Sequence, residues 1–217
     1  MLKKLLYKEA KLAANPLSFI FIAFAGMTMI PGYPILCGAF FVCLGMFYTY
    51  QQLRENDDIT YTVLLPVRKR DTVTAKYLFA VIIEAAGYLL FTLLTVLRQL
   101  FLADAAAYTG NPMMNANAAF LGYVAMIFAA YNLFFIGGFF KTSYKIGKPF
   151  LAFSGVTLTI ILIAEVLHHI PGLEMLNDTA GINAPQAVIL AAGVILYAAG
   201  TLCSYAVSVR RFEKTDL

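Results

Sequence analysis

Long apolar runs are the feature that most restricts how this chain can fold. Several runs of about 20 residues contain no Asp, Glu, Lys or Arg, and a helix needs about 20 apolar residues to cross a bilayer. Hydrophobic residues make up 61% of the chain and charged residues 13%, against about 45–50% and about 25% in soluble domains. The runs are apolar on all sides, unlike the one-sided helices of a soluble protein. The sequence therefore predicts an all-α integral membrane protein.

An amphipathic helix and six membrane spans are predicted along the chain. Residues 1–15 place leucines opposite lysines, as in a helix that lies on a membrane surface, although Glu9 interrupts the apolar side. A signal peptide is the less favoured alternative, because no small-x-small cleavage site follows. Proline and glycine mark several of the turns between spans. Residues 16–217 then form one transmembrane domain with spans at about 16–30, 35–50, 72–102, 118–140, 149–167 and 186–209, a cytoplasmic coupling segment at 51–71 and an outer loop at 168–185.

The basic residues predict the orientation of this six-helix bundle. All Lys and Arg residues except Arg98 fall in segments that six spans would place on one side of the membrane. Such segments are cytoplasmic under the positive-inside rule, so both termini are predicted to be cytoplasmic (N-in/C-in). The net charge of +4 then reflects topology and gives no reason to expect nucleic acid as a partner. Arg98 is predicted near the outer interface, with its guanidinium extended towards water.

The polar segment between the second and third spans contains an unusual apolar patch. Residues 63–67 read Val-Leu-Leu-Pro-Val and are followed at once by Arg68, Lys69 and Arg70. The patch is far too short to cross a membrane, and it is more apolar than an ordinary solvated loop. We therefore expect it to contact a soluble partner protein. Asp71 is predicted to cap the third span with its carboxylate.

Sequence motifs for catalysis are missing from the chain. It has no Gly-x-x-x-x-Gly-Lys-Ser/Thr phosphate loop, no Gly-x-Ser-x-Gly and no His-Glu-x-x-His. The chain is therefore not predicted to be an enzyme. Glu165, His168 and His169 lie within one helical turn, where they could bind a divalent metal. The favoured interpretation is that they are polar groups at the outer interface, so no metal site is predicted.

Two polar residues are predicted at similar depth inside the membrane. Glu84 follows Lys76 by eight residues and Asn132 precedes Lys141 by nine, or about 12 and 14 Å of helix. The amide of Asn132 could therefore donate to the carboxyl group of Glu84. A carboxylate at this depth must face the bundle interior or stay protonated. It could line a substrate path or join helices, and both interpretations stay open. A stand-alone ion- or proton-coupled secondary transporter that uses Glu84 is the alternative function.

The order of these features resembles the membrane subunits of ABC-2 type ABC transporters, in their small six-helix bacterial branch. The resemblance is carried by Asn56-Asp57, by Leu65-Pro66-Val67-Arg68-Lys69-Arg70-Asp71, by Ala75-Lys76-Tyr77 and by the tail Arg211-Phe212-Glu213-Lys214-Thr215-Asp216-Leu217. It implies that the segment 56–71 docks into an ABC ATPase. The coupling residues would be Asp57, Leu64, Leu65, Pro66, Val67, Arg68, Lys69, Arg70 and Asp71.

The resemblance also implies the partners and the task. Two ATPase subunits would hold ATP and magnesium, so this chain itself needs no cofactor. A second permease chain, identical or a sister, would complete the transporter. The complex would export peptide, drug or lipid-like substrates through a bacterial plasma membrane. Short helices on the outer side are implied for residues 170–184.

Overall fold

The computed structural model describes residues 2–103, 105–142 and 144–214, and within these ranges the regular elements are helices, without any strand. Met1 of the predicted interfacial helix and Thr215–Leu217 of the predicted tail lie outside the described residues. The helices are α1 (Leu2–Ala13), α2 (Leu17–Met29), α3 (Cys37–Glu55), α4 (Asp58–Leu64), α5 (Lys69–Phe101), α6 (Ala106–Thr109), α7 (Ala118–Lys141), α8 (Gly147–Leu167) and α9 (Ala184–Glu213).

Four helices in the described part of the chain are long and apolar enough to cross a membrane alone, namely α5, α7, α8 and α9. The helices α1 and α2 form a bent pair with an angle of 95° between them. This angle suits a helix on the membrane surface that is followed by a spanning helix. The prediction of an all-α membrane protein is confirmed. The count of six spans stays a prediction, because α2 is short and α3 ends in the polar residues 51–55.

The short helix α2 gains length from its geometry. Its second part, Phe21–Met29, is a 3₁₀ helix of 9 residues. A 3₁₀ helix rises about 2.0 Å per residue instead of 1.5 Å, so α2 reaches roughly 24 Å rather than 20 Å. Asn15 fixes the bend before it, because its backbone N–H donates to Thr49 Oγ1 at 2.8 Å and its Oδ1 accepts from Leu17 N–H at 3.0 Å.

The centre of the bundle is α7, which is buried along most of its length. It packs closely against α9 where Gly122 faces Gly193: a Cβ atom on Gly193 would collide with the carbonyl oxygen of Gly122. Small residues at such a contact let two membrane helices approach closely. Gly137 makes a similarly close contact with α9, where a Cβ atom would lie 2.6 Å from Ser204 Oγ.

The prediction that Asp71 caps the third span was wrong. The helix α5 begins at Lys69, and the residue before it, Arg68, is extended and makes no side-chain cap. Asp71 lies in the first turn of α5 instead. A carboxylate in the first turn interacts favourably with the helix dipole without acting as the cap residue.

The prediction that Arg98 extends into the outer interface was also wrong. Its side chain is only 3% exposed. It donates to the carbonyl oxygen of Thr28 at 2.7 Å and to Asn115 Oδ1 at 2.9 Å, and its guanidinium lies 4.4 Å from the ring centre of Tyr108. Asn115 is in turn held by Asn177, which ends a 3₁₀ turn at Glu174–Asn177. The loops that contain Tyr108, Asn115 and Asn177 thus fold over the end of α5 and enclose the cation.

Candidate functional site

The predicted coupling segment folds into the short helix α4 and a turn that follows it. The apolar side chains Tyr61, Leu64 and Leu65 are exposed here, Leu64 by 78%. Pro66 and Arg68 are exposed beside them. We call these five residues the docking surface. On the surface of a soluble protein, such a group of exposed apolar side chains marks a site of contact with another protein or with a membrane.

The helix α4 packs against the bundle with one face and exposes the opposite face. Ile59 and Thr62 are buried, and they are separated by three residues, which places them on one side of a helix. Tyr61 and Leu64 are also three residues apart and point away from the bundle. The helix α4 is too short to cross a membrane. It has one face that packs against the bundle and one face that is apolar and exposed.

The other predicted coupling residues lie next to the docking surface without belonging to it. Asp57 precedes α4 with a left-handed backbone (φ 49°), a conformation that Asp tolerates better than most residues. Val67 is partly buried, and its N–H donates to the Leu65 carbonyl oxygen at 2.7 Å. Lys69 and Arg70 form the start of α5, together with Asp71.

A buried cluster of four charged side chains lies under α4. Lys76 Nζ is 3.1 Å from both carboxylate oxygens of Glu9 and 3.1 Å from Asp58 Oδ2. Lys8 Nζ is 2.6 Å from Asp58 Oδ1 and donates to Thr62 Oγ1 at 2.7 Å. Lys76 is only 2% exposed. We call Lys8, Glu9, Asp58 and Lys76 the charge cluster; it joins α1, α4 and α5.

The charges in this cluster balance, with two cations and two anions. Burying an ion is costly unless opposite charges and hydrogen bonds compensate for the lost water. At Asp58, burial alone would raise the pKa of the carboxyl group, but the positive charges of Lys76 and Lys8 outweigh burial and lower it. Asp58 therefore stays ionised at neutral pH and keeps both lysines paired.

The sequence interpretation missed this cluster. From the sequence, Glu9 is an interruption of an apolar helix face, and Lys76 is a marker of topology and depth and a part of the family resemblance. In the structure, the packed face of α1 consists of Leu5, Glu9 and Ala13, which recur every four residues. An acid in the middle of a packed face needs a cationic partner, and this is the signal that could have indicated the cluster.

A second buried polar site lies deeper in the bundle. Asn132 Nδ2 donates to Glu84 Oε2 at 3.0 Å, so the contact predicted from their depths is present. The hydroxyl of Tyr197 donates to the same oxygen at 2.8 Å, and Asn132 also donates to Thr201 Oγ1. Asn132 lies in a π-helical turn of α7, Tyr131–Ile136. Such turns locally shift which side chains face inward and are frequent at functional sites.

The residues considered for a metal site have other contacts. Glu165 Oε2 accepts from Met114 N–H at 2.9 Å. His168 is buried, with its ring nitrogens near the carbonyl oxygens of Ala164 and Pro112. Within residues 2–103, 105–142 and 144–214, no group of three His, Cys, Asp or Glu side chains could hold a metal ion.

Taken together, the helices define a multi-pass membrane protein, and α4 with the turn after it exposes large apolar side chains. Residues 4–213 match a family model described as ABC-2 family transporter protein. The chain therefore belongs to the ABC-2 transporter family, the membrane components of ABC transporters, as the resemblance implied. No curated protein and no solved structure matches the chain. Membership in the family implies that the chain works in a membrane together with an ABC ATPase.

Proposed function

We propose that this chain is the permease subunit of an ATP-driven exporter and that its ATPase binds at the docking surface. The observation that carries the proposal is the exposed apolar and basic surface made by α4 and the turn after it. Leu64 and Leu65 are exposed there beside Arg68. A soluble ATPase that covered this surface would remove the apolar side chains from water.

The charge cluster supports the proposal because it connects the docking surface to a long membrane helix. Asp58 belongs to α4, while Lys76 belongs to α5 and Glu9 to α1. A buried network of ion pairs resists separation, since parting its members would leave charges unpaired. Movement of α4 by the ATPase would therefore also move α5 and α1.

The complete transporter would contain two ATPase subunits, which bind ATP and magnesium, and a second permease chain, either identical or a sister. ATP binding would draw the ATPases together and tilt the two permeases between inward-facing and outward-facing states. In this arrangement both termini and the docking surface are cytoplasmic, and the membrane is a bacterial plasma membrane. Peptides, drugs or lipid-like molecules would be the exported substrates, and Glu84 and Asn132 would lie on their path.

The test is the capture of the ATPase by tagged permease from membranes solubilised in a mild detergent. The native chain should capture an ATPase with a phosphate loop at one copy per permease. Replacing both Leu65→Asp and Arg68→Asp should reduce the captured ATPase by at least about tenfold, because apolar and arginine contacts dominate binding energy at interfaces.

Lys145→Asp is the matched control, because it reverses an exposed charge in the other predicted cytoplasmic loop. It should leave capture unchanged. Capture that survives the double substitution at full strength would place the ATPase elsewhere and refute the docking proposal.

A further inference from the structure

An apolar cleft opens beside Glu84, between the middle parts of α5, α7 and α9. Its volume is about 220 Å³, and apart from Glu84 and Tyr197 its lining is mostly apolar, including Val81, Ala85, Ala125, Phe128 and Val194. Ala85 and Val194 are exposed on the outside of the bundle. The cleft can therefore be entered from the side of the bundle, at about the depth of the membrane centre.

The carboxyl group of Glu84 has one oxygen without a hydrogen-bond partner. Oε2 accepts from both Asn132 and Tyr197, whereas Oε1 is buried and accepts from nothing within the described residues. Glu84 is 1% exposed. The residues that line the cleft include no basic side chain in the described part of the chain. A buried polar atom that lacks a partner costs free energy, so a ligand that supplies one binds more tightly.

The size of the cleft indicates how a ligand would fit. Pockets that enclose drug-sized molecules usually measure about 300–1,000 Å³, so this cleft holds only one end of such a molecule. The small side chains of Ala85 and Ala125 leave this space open. The remainder of the ligand would extend past Val194 into the lipid or against a second permease chain.

We propose that the cleft binds the amine end of an apolar amine, with the nitrogen donating to Glu84 Oε1. The apolar walls suit the carbon skeleton, and the carboxyl group complements a cation. The bound pair holds one ionisable proton between the amine and the carboxyl group; where both groups are protonated before they meet, the second proton is released to water. An anionic ligand would be repelled by the carboxylate, and a purely apolar ligand would leave Oε1 without a partner. The inference that apolar amines are the exported substrates rests on the proposed function. Binding of an amine in the cleft needs no ATPase.

The test uses native permease in nanodiscs of uncharged phosphatidylcholine, titrated with N-dansyl-1,6-diaminohexane and followed by dansyl fluorescence. The control ligand is the same compound with its amine acetylated, which keeps the apolar body and removes the basic nitrogen. The native chain should bind the free amine saturably and at least about tenfold more tightly than the acetylated compound, since hydrogen bonds to charged groups are the stronger kind.

Two variants test the site itself. Glu84→Gln should weaken binding of the free amine by at least about tenfold, and Ala85→Phe should block the cleft while leaving Glu84 in place. Glu165→Gln is the matched control, because it also replaces a carboxyl group by an amide but lies at the far end of α8. This variant should bind the amine like the native chain. Each variant is compared only after gel filtration shows a single monodisperse peak.

Equal affinity for the free and acetylated compounds, or an unchanged affinity in Glu84→Gln and Ala85→Phe, would overturn the proposal and show simple partitioning of the probe into apolar surface. Absence of saturable binding by the native chain would overturn it as well. ATPase capture is measured on the same preparations. If the native chain captures no ATPase but the amine binds at Glu84, the docking proposal is refuted and the proposal for the cleft is not. If the chain captures the ATPase but the amine does not bind at Glu84, only the proposal for the cleft is refuted.

Discussion

Two buried polar sites on the same helix differ in how their charge is compensated. In the charge cluster, Lys76 meets the carboxylates of Glu9 and Asp58, and Lys8 completes the balance. Eight residues further along α5, or about 12 Å, Glu84 is held only by the neutral donors of Asn132 and Tyr197. The first site has a protein partner for every charge. The second has one buried oxygen without a hydrogen-bond partner among the described residues, beside an open cleft.

The difference indicates different tasks for the two sites. A closed set of ion pairs connects helices and has nothing left to offer a ligand. An acid with neutral partners connects helices less strongly and can still accept a proton or a cation. The same helix would thus receive movement from the ATPase near its start and meet the substrate near its middle. The following predictions test this contrast, beginning with the largest expected effect.

Removal of the cation at the centre of the charge cluster should be the most damaging change. Lys76→Met keeps a side chain of similar length but leaves two carboxylates without their main partner. We expect a loss of about 3–5 kcal/mol in the free energy of unfolding, as for other broken buried ion pairs. Equilibrium unfolding in mixed detergent micelles measures this loss.

A second variant separates charge from packing at this position. Adding Glu9→Gln and Asp58→Asn to Lys76→Met removes the unpaired anions and should recover part of the lost stability. A single variant that loses less than about 1 kcal/mol would show that the cluster does not hold α1 and α4 to α5.

Acid should loosen the charge cluster through Asp58. Its pKa is lowered in the folded protein, so its contribution to stability is fully present above the ordinary value of 3.8 and is lost as the pH falls through the lower folded value. The melting temperature of the native chain should therefore drop more steeply below about pH 4 than that of Asp58→Asn. Parallel curves for the two proteins would contradict this assignment.

Glu84→Gln should change the stability least. Glutamine keeps an oxygen that can accept from Asn132 and Tyr197, and no ion pair is broken, so we expect a change in unfolding free energy of less than about 1.5 kcal/mol. The same unfolding experiment as for Lys76→Met applies. A loss as large as that of Lys76→Met would show that Glu84 is mainly structural and would remove the contrast between the two sites.

The contact between Glu84 and Asn132 could be predicted because it depends only on depth. Both residues lie on long helices, of which α5 begins and α7 ends near the same row of basic residues, and a helix advances by a constant rise. The charge cluster could not be found in this way. It depends on the 95° bend between α1 and α2, which brings Glu9 beside α5, and on the folding of α4, which brings Asp58 beside Lys76.

The helices themselves were easier to predict than their ends and local geometry. The fourth span was expected at 118–140, and α7 is Ala118–Lys141. The 3₁₀ geometry of Phe21–Met29 has no clear signal in its apolar sequence. The enclosure of Arg98 was missed because it depends on tertiary folding: Thr28 lies 70 residues away, and the loop with Tyr108 and Asn115 turns back over the end of α5.

Site-specific photo-crosslinking from the docking surface in intact membranes would show where on this chain the ATPase binds. A photoreactive amino acid replaces Leu64, which is 78% exposed on α4, or, as the control, Leu202, which is exposed on the membrane helix α9. We expect a covalent adduct between the chain labelled at position 64 and an ATPase with a phosphate loop, and no such adduct from position 202. An ATPase adduct from position 202 and none from position 64 would contradict the account.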